Sequence, residues 1–301
     1  MALIDLLIEV AGKENVILNE DMSKHCSFKT GGNVDYFITP ENPKALMEVV
    51  TILKENGIPF VVIGKGSNLL VRDKGIRGAV IHIGRHFADI EVNGTEITVG
   101  AGATLSQAAA VAMENGLAGF EFAAGIPGSF GGAVFMNAGA YGGEIKHVLT
   151  EATVLTCDMK VQVLSANKLE LGYRTSRIAM DGYIVLGGKI NLRYGSKEEI
   201  KALIADFNER RREKQPLNYA SAGSTFKRPE GYFAGKLIED SGLKGYTVGG
   251  AMVSQKHAGF VVNTGCATTG DILGVIGHCK DVVKQKYGID LQCEVRILGE
   301  E

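Results

Sequence analysis

The sequence predicts a protein of the α+β class, with many helices and many short strands. One observation is a strand–helix–strand pattern over residues 34–63. A second is the change after residue 78, where short β-rich segments surround an alanine-rich helix. A third is the presence of 40 glycines among 301 residues with only 6 prolines, against a usual glycine share of roughly 7%. Because these glycines have no three-residue period, the excess predicts ordered places that require bare backbone.

The elements of the first third are predicted from periodicity and capping residues. The segment Val34–Thr39 is typical of a strand, and Asn42-Pro43 then begins a helix that ends at Asn56-Gly57. The next strand is Ile58–Ile63. The loop Gly64–Asn68 follows the carboxyl end of that strand, where α/β proteins usually bind ligands.

The middle of the chain is predicted as a second mixed block. We expect strands at Ala79–Ile83, Ile90–Val92, Glu96–Val99, Val148–Thr156, Lys160–Leu164 and Tyr183–Leu192, and a helix at Thr104–Asn115. The sequence predicts that the strands on either side of Cys157–Met159 form a hairpin. Residues 116–143 contain nine glycines, which is too many for a helix, and they are too apolar for a solvated linker. An ordered segment without a helix is therefore predicted there.

The last third is predicted as a separate block. A helix from Lys197 to about Glu213 ends in a charged stretch that indicates a domain boundary. Helices are expected near Ala234–Ser241 and Asp271–Tyr287, and strands near Gly259–Asn263 and Leu291–Leu298. Alternation along the final strand would put Glu294 and Arg296 on one face, as a structural ion pair or as part of a site.

Composition and charge exclude several functional classes. With 32 basic and 34 acidic side chains, the chain has no electrostatic footprint for nucleic-acid binding. Its five cysteines are scattered without a Cys-x-x-Cys pair, and its six histidines have no metal-binding spacing. No stretch approaches the roughly 18 apolar residues of a membrane span, and residues 1–10 predict an amphipathic helix rather than a signal peptide. We expect a cytoplasmic protein without a metal, nucleic-acid or membrane partner.

Two glycine-rich segments are candidate ligand-binding loops. The loop Gly64–Asn68 could form an anion-binding nest, but it lacks a Rossmann or Walker A pattern, so an ordinary turn is an equal alternative. The segment Gly125–Gly143 offers many bare N–H groups and few charges. These features favour a large uncharged ring with a pyrophosphate tail over a sugar or a metal. The alternative is a tightly packed junction between a loop and a helix.

Polar residues of the second half are candidates for chemistry. A guanidinium of Arg174 or Arg177 could hold a carboxylate bidentately, although surface arginines are the commoner case. The hydroxyl of Ser224 follows a glycine in a polar turn. A nucleophilic role lacks both a Gly-x-Ser-x-Gly motif and a His–Asp pattern, so a serine that hydrogen-bonds within a turn is the alternative.

Five motifs, in order between about Ser27 and Ile297, resemble one family. They are Gly64–Leu70, Ala124–Ser129 through Asn137–Gly142, Gly172–Ser176, Ala222–Lys227 and Glu294–Arg296. Together they closely resemble the UDP-N-acetylenolpyruvoylglucosamine reductase (MurB) family of peptidoglycan synthesis. Each motif is modest by itself, but five in this order are highly specific.

The resemblance implies an FAD-binding module of the vanillyl-alcohol-oxidase/MurB (PCMH) type in two α/β subdomains, plus an α/β substrate-binding domain. The implied divisions are 1–28 as a helix and lead-in, 29–194 as the FAD-binding domain (subdomains about 29–77 and 78–194), 195–290 as the substrate-binding domain, and 291–301 as a C-terminal strand returning to the active site. The FAD is expected to be non-covalent, because the histidine that tethers flavin in some relatives is absent near the first glycine loop.

The implied activity is NADPH-dependent, FAD-mediated reduction of UDP-N-acetylglucosamine enolpyruvate to UDP-N-acetylmuramate, with hydride passing from flavin N5 to the enolpyruvyl carbon. By motif match, Arg174 would bind and polarise the substrate carboxylate, Glu294 would assist the enolate, and Ser224 would deliver the proton. The implied partners are this substrate and NADPH, with no obligatory protein partner. The alternatives are another flavin-dependent oxidoreductase of this fold, a nucleotide-sugar binding module, and a serine hydrolase without flavin.

The resemblance also implies further contacts. The implied cofactor contacts are Gly64, Lys65, Gly66, Ser67, Asn68, Leu69, Gly125, Ile126, Pro127, Gly128, Gly131, Gly132, Asn137, Ala138, Gly139, Tyr141 and Gly142. The implied substrate contacts are Lys214, Arg228 and His257, and Arg228 replaces an asparagine of some members. The segment after Arg174 is too short for the substrate-covering tyrosine loop of one branch, so the chain resembles the second type, which lacks that loop.

Overall fold

The computed structural model describes residues 2–301, and these form two compact units. Unit 1 consists of residues 2–17, 36–65 and 78–211, and unit 2 consists of residues 18–35, 66–77 and 212–301. Each unit is therefore assembled from three separate stretches of the chain.

Helices and strands are distributed over the whole chain. The helices are α1 Leu3–Ala11, α2 Pro43–Glu55, α3 Leu105–Glu114, α4 Phe130–Phe135, α5 Arg177–Asp181, α6 Lys197–Lys214, α7 Ala234–Asp240 and α8 Thr269–Tyr287. The strands are β1 Val16–Asp21, β2 Asn33–Ile38, β3 Phe60–Ile63, β4 Leu69–Val71, β5 Ile76–His82, β6 Ile90–Asn93, β7 Glu96–Gly100, β8 Leu117–Ala118, β9 Gly139–Ala140, β10 Gly143–Glu144, β11 Leu149–Leu155, β12 Val161–Ser165, β13 Ile184–Asn191, β14 Arg193–Tyr194, β15 Thr247–Val248, β16 Ala251–Val253, β17 Val261–Asn263 and β18 Arg296–Leu298. This mixture confirms the α+β class.

Capping residues determine where two of the predicted helices begin. The Asn42 side chain accepts a hydrogen bond from the Ala45 amide at 3.0 Å, and Pro43 is the first residue of α2. Helix α3 begins with a capping box formed by Thr104 and Gln107. Both predicted helices are confirmed.

Unit 1 is built around a five-stranded antiparallel sheet of order β12-β11-β13-β7-β6. The predicted hairpin is confirmed, because β11 pairs with β12 and Leu155 lies opposite Val161. In a second sheet, β3 runs parallel to the part of β5 that belongs to this unit, with Phe60 opposite Ala79. Helices α1 and α2 pack together, and apolar side chains of helices and strands form the buried core of this unit.

The expectation of a glycine-rich segment without a helix is wrong. Helix α4 occupies Phe130–Phe135 and contains Gly131 and Gly132. Ser129 caps it by accepting a hydrogen bond from the Gly132 amide at 3.4 Å. A Cβ on Gly131 would lie 2.8 Å from the Cβ of Ala101. Close packing against Ala101 therefore outweighs the low helix propensity of glycine.

Unit 2 contains a three-stranded antiparallel meander, β15-β16-β17, on which α8 packs. Strand β18 pairs in parallel with β4. The predicted strand Leu291–Leu298 is wrong over its first half, because β18 begins only at Arg296. Glu294 therefore precedes the strand, and the two residues do not share one strand face.

Strand β1, Val16–Asp21, has no counterpart in the sequence-based prediction. Its residues do not alternate between buried and exposed positions, and only Val16 is buried.

Among residues 2–301, none of the helices combines the length and the apolar character that crossing a membrane requires.

Candidate active site

Gly66 opens the part of the first glycine loop that belongs to unit 2. Its φ is +63°, and a Cβ there would collide with the carbonyl oxygen of His25. The Ser27 amide donates to the Gly66 carbonyl at 3.2 Å. The loop therefore packs directly on the 25–27 backbone, which leaves no room for a side chain.

The loop after Gly66 presents free backbone donors. Within residues 2–301, the amide N–H groups of Gly66, Ser67 and Asn68 have no acceptor in the protein. Backbone donors are almost always paired in native structures, by the protein, by water or by a ligand. Consecutive unpaired amides at a turn are the arrangement that binds phosphate oxygens.

Gly66→Ala is expected to destabilise the protein and to weaken ligand binding at this loop. A left-handed residue other than glycine costs about 1–3 kcal/mol, and the collision with a backbone carbonyl adds to that. Urea unfolding and cofactor titration by fluorescence measure the two effects. The matched control is Gly57→Ala, because Gly57 has φ +66° and no atom within 4 Å of its added Cβ. Equal losses in both variants would contradict a requirement for close approach at Gly66.

The second glycine-rich segment, in unit 1, also has backbone amides without an acceptor. In the part of the chain that the structure describes, the amides of Gly125, Gly128 and Ser129 have no acceptor in the protein. Ser129 is only 3% exposed. A Cβ on Gly64 would collide with Ser129 Oγ, so the start of the first loop lies against the second segment. Within unit 1, only the start of the first loop is thereby shown to lie beside the second segment.

An aromatic and basic cluster lies beside Gly125. The ring of Tyr141 stacks on Phe207, with centroids 4.6 Å apart and planes 6° apart. The Arg211 guanidinium lies 6.0 Å from the Tyr141 ring centroid. Arg211 Nε is buried and has no hydrogen-bond partner among the described residues, and an added Cβ on Gly125 would be 3.1 Å from it. A positive donor is therefore held against this segment.

Arg174 lies in unit 1, on a tight turn. The turn is closed by hydrogen bonds from the Gly172 amide to the Thr175 carbonyl at 3.1 Å and from the Thr175 amide back to Gly172 at 3.4 Å. Arg174 itself has φ +55°, a conformation that is strained for a residue other than glycine. Such strain persists where surrounding structure enforces it, and it is concentrated at functional sites.

Arg177, the other arginine of this motif, has a local partner. Its Nε donates to Asp181 Oδ2 at 2.9 Å within α5. The pair raises the pKa of Arg177, mainly through that hydrogen bond. Arg177 is therefore held by a residue of its own helix, whereas Arg174 lies on the strained turn.

Ser224 and Glu294 lie on either side of Thr225 in unit 2. The Glu294 amide donates to the Thr225 carbonyl at 2.8 Å, and the Thr225 amide donates to the Gly259 carbonyl at 2.9 Å. Thr225 is fully buried, and its Oγ1 accepts from the Val261 amide at 2.9 Å. Ser224 and Glu294 are half-buried. The unit thus holds a hydroxyl-bearing and a carboxyl-bearing residue next to one rigid residue.

The first glycine loop is hydrogen-bonded to the segment of unit 2 that contains Glu294. Asn68 Nδ2 donates to the Glu294 carbonyl at 3.1 Å, and the Arg296 amide donates to the Asn68 carbonyl at 2.9 Å. Strands β4 and β18 continue this contact in parallel. The free amides of Gly66–Asn68 therefore lie beside Glu294.

The three predicted substrate contacts belong to unit 2. Lys214 is exposed at the end of α6. The exposed Arg228 guanidinium lies 3.9 Å from the ring centroid of Phe233. His257 Nδ1 accepts from the Gly259 amide at 3.1 Å, and burial lowers the pKa of this imidazole. Gly259 therefore bonds both residues, with its amide donating to His257 and its carbonyl accepting from Thr225, the residue after Ser224.

Two polar residues of the Arg174 region were missed by sequence reasoning. Ser176 is fully buried, and its Oγ donates to the Phe135 carbonyl at 2.6 Å. Glu144 accepts a hydrogen bond from Asn137 Nδ2 at 2.9 Å. The position of Ser176 immediately before α5 is a capping signal that could have identified it, whereas no local signal identifies Glu144.

No group of three or more His, Cys, Asp or Glu side chains within residues 2–301 is arranged to hold a metal ion.

Comparisons with known proteins agree on one family. Residues 34–165 match an FAD binding domain, and residues 215–298 match the C-terminal domain of UDP-N-acetylenolpyruvoylglucosamine reductase. A reductase of that name from Clostridium beijerinckii is 52% identical, over 99% of this chain and 97% of its own length. The crystal structure of UDP-N-acetylenolpyruvylglucosamine reductase (MurB) from Thermus caldophilus superposes with a TM-score of 0.81 at 33% identity, covering 94% of this chain and 98% of that one. Phl p 4.0202, a glucose dehydrogenase, shares only the fold, with a TM-score of 0.50 at 12% identity, covering 65% of this chain and 44% of that one. The chain therefore belongs to the UDP-N-acetylenolpyruvoylglucosamine reductase family.

Proposed function

We propose that this chain reduces UDP-N-acetylglucosamine enolpyruvate to UDP-N-acetylmuramate, using FAD and NADPH, in peptidoglycan precursor synthesis. Bound FAD supplies the hydride carrier between NADPH and the enolpyruvyl carbon. Besides family membership, the proposal is carried by the hydrogen bonds of unit 2 that hold Glu294 between Thr225, the residue that follows Ser224, and Asn68 of the first glycine loop. The proposed enzyme works in the cytoplasm and needs no obligatory protein partner, nucleic acid or membrane.

Each glycine segment by itself offers backbone donors of the kind that a dinucleotide cofactor needs. Unit 2 offers free amides at Gly66–Asn68, and unit 1 offers free amides at Gly125, Gly128 and Ser129. Amide donors without a side chain above them can approach pyrophosphate oxygens closely. The proposed FAD contacts are the residues named above in the two segments. The contact of Asn137 is limited to its main chain, because its side-chain amide donates both of its N–H groups and accepts one hydrogen bond within the protein.

Arg174 is proposed to bind the carboxylate of the enolpyruvyl group. When hydride reaches the enolpyruvyl carbon, negative charge develops beside that carboxylate, and stabilising it is the difficult step. A guanidinium can hold two carboxylate oxygens in a fixed orientation. The enforced conformation of Arg174 supports this role, because a group fixed before the reaction needs no reorganisation during it.

Ser224 and Glu294 are proposed to manage the proton. Ser224 delivers the proton that completes reduction, and Glu294 assists the enolate by sharing a proton with it. A serine hydroxyl is a poor acid towards water, but an enolate carbon is basic enough to take its proton. Lys214, Arg228 and His257 are proposed to contact the remainder of the substrate or NADPH.

Visible absorbance tests this proposal directly. The purified protein, or the protein mixed with FAD and then separated from unbound FAD by gel filtration, is expected to show flavin absorbance bands that NADPH bleaches anaerobically. UDP-N-acetylglucosamine enolpyruvate is then expected to restore them. A protein that gains no flavin absorbance with added FAD would not be a flavin reductase. Bleaching without restoration by this substrate would favour another flavin-dependent oxidoreductase.

A further inference from the structure

Asn137 is a buried residue whose side-chain amide donates both of its N–H groups and accepts one hydrogen bond. It is 1% exposed and has φ +46°. Its Nδ2 donates to Glu144 Oε2 and to the Gly172 carbonyl, both at 2.9 Å, and its Oδ1 accepts from the Lys146 amide at 2.9 Å. One side chain of unit 1 thus joins the glycine-rich segment, the 144–146 segment and the turn that carries Arg174.

The acceptor Glu144 is held as a carboxylate. Lys146 Nζ lies 2.9 Å from Glu144 Oε2. The hydrogen bond from Lys146, and a second from Asn137, hold the pKa of the Glu144 carboxyl below its ordinary value. A charged acceptor strengthens the bond from Asn137 and fixes the orientation of the amide. The same amide then has its second N–H aimed at Gly172.

The Arg174 turn depends on bonds from outside itself. Its Thr175-to-Gly172 bond is long, at 3.4 Å, and Arg174 is in a strained conformation. Two contacts anchor the turn to the glycine-rich segment, one on each side of Arg174. They are Asn137 Nδ2 to the Gly172 carbonyl at 2.9 Å and Ser176 Oγ to the Phe135 carbonyl at 2.6 Å.

We propose that Asn137 is a positioning residue that fixes Arg174 relative to the glycine-rich segment, with Ser176 as the second anchor. The inference rests on the proposed role of Arg174 towards the substrate carboxylate. Asn137 does not touch the substrate in this scheme. It acts by keeping the Arg174 backbone in the left-handed conformation that directs the guanidinium.

Asn137→Ala is expected to slow flavin re-oxidation by the enolpyruvyl substrate by about 100-fold, the effect of roughly 1 Å of misplacement. Bleaching of the flavin by NADPH, measured at saturating FAD, is expected to stay within about 3-fold, since a bound carboxylate does not enter that half-reaction. The matched control is Asn15→Ala. Asn15 is also buried in unit 1, and its Nδ2 donates to a backbone carbonyl and to a glutamate, at 2.8 and 2.9 Å.

A double-mutant cycle with Arg174→Ala separates positioning from general destabilisation. If Asn137 acts through Arg174, adding Asn137→Ala to Arg174→Ala slows re-oxidation no further. The inference would be overturned if the double variant slowed re-oxidation by the product of the two single effects. It would also be overturned if Asn137→Ala slowed both half-reactions equally, or if Asn15→Ala slowed re-oxidation as much as Asn137→Ala does. If Asn137→Ala does not fold, Ser176→Ala is put through the same cycle. If Arg174→Ala by itself leaves re-oxidation unchanged, the proposed role of Arg174 has failed before Asn137 is tested.

Discussion

Ser224→Ala is expected to slow re-oxidation of the reduced flavin by the enolpyruvyl substrate by about 1000-fold, while bleaching by NADPH proceeds at the normal rate. The effect is large because proton delivery by a positioned group contributes about 100- to 10,000-fold. The fold should survive, since the bonds that hold this segment belong to the backbone of Thr225 and Lys227 and to the Thr225 hydroxyl. Anaerobic stopped-flow absorbance measures the two half-reactions separately.

The control for Ser224→Ala is Ser221→Ala, three residues earlier in the same polar stretch and also half-buried. It removes the same atom from the same segment and should leave both half-reactions unchanged. If Ser224→Ala slows both half-reactions equally, the serine has a structural role and is not the proton donor.

Arg174→Lys is expected to slow the same re-oxidation step by about 100-fold, although the positive charge is kept. An ammonium is a point charge and cannot reproduce the planar, two-donor geometry that a guanidinium offers to a carboxylate. Removing one preorganised donor from a developing negative charge typically costs about 100- to 1000-fold. The rate of re-oxidation at increasing substrate concentration separates weaker binding from a slower chemical step.

Arg177→Lys is the matched control for Arg174→Lys. Arg177 is three residues further on in the same motif, but its Nε is paired with Asp181 Oδ2 at 2.9 Å on the surface of α5. A surface pair of this kind contributes little, so re-oxidation should be unchanged. Equal losses in the two variants would contradict a specific role for Arg174.

Local signals in the sequence were sufficient for elements that are stabilised locally. Helix α2 begins at its predicted cap because the Asn42 side chain bonds the Ala45 amide. The hairpin of β11 and β12 follows from the turn residues between two alternating segments. Helix α4 could not be predicted, because Gly131 within it packs on Ala101, which lies thirty residues earlier in the chain.

In the candidate site, too, local signals and long-range contacts differ in what the sequence could predict. Motifs predicted Arg174, Ser224 and Glu294 as site residues, but the contacts around them connect distant parts of the sequence. Asn137 bonds Gly172 across 35 positions, and Asn68 bonds Glu294 across 226. No periodicity carries such information. The predicted strand at Glu294 failed for a related reason, because the residue is held by Thr225 and Asn68 rather than by a regular ladder.

The long-range pairing of unit 2 has a consequence for synthesis on the ribosome. Asn68 leaves the exit tunnel 226 residues before its partner Glu294, an interval of roughly 10–45 s at about 5–20 residues per second. During that time the buried strand β4 lacks its parallel neighbour β18. A nascent chain therefore carries an unpaired apolar edge until translation is nearly complete. Truncated products that end before Glu294 lack both the parallel neighbour of β4 and the partner of the Asn68 side chain.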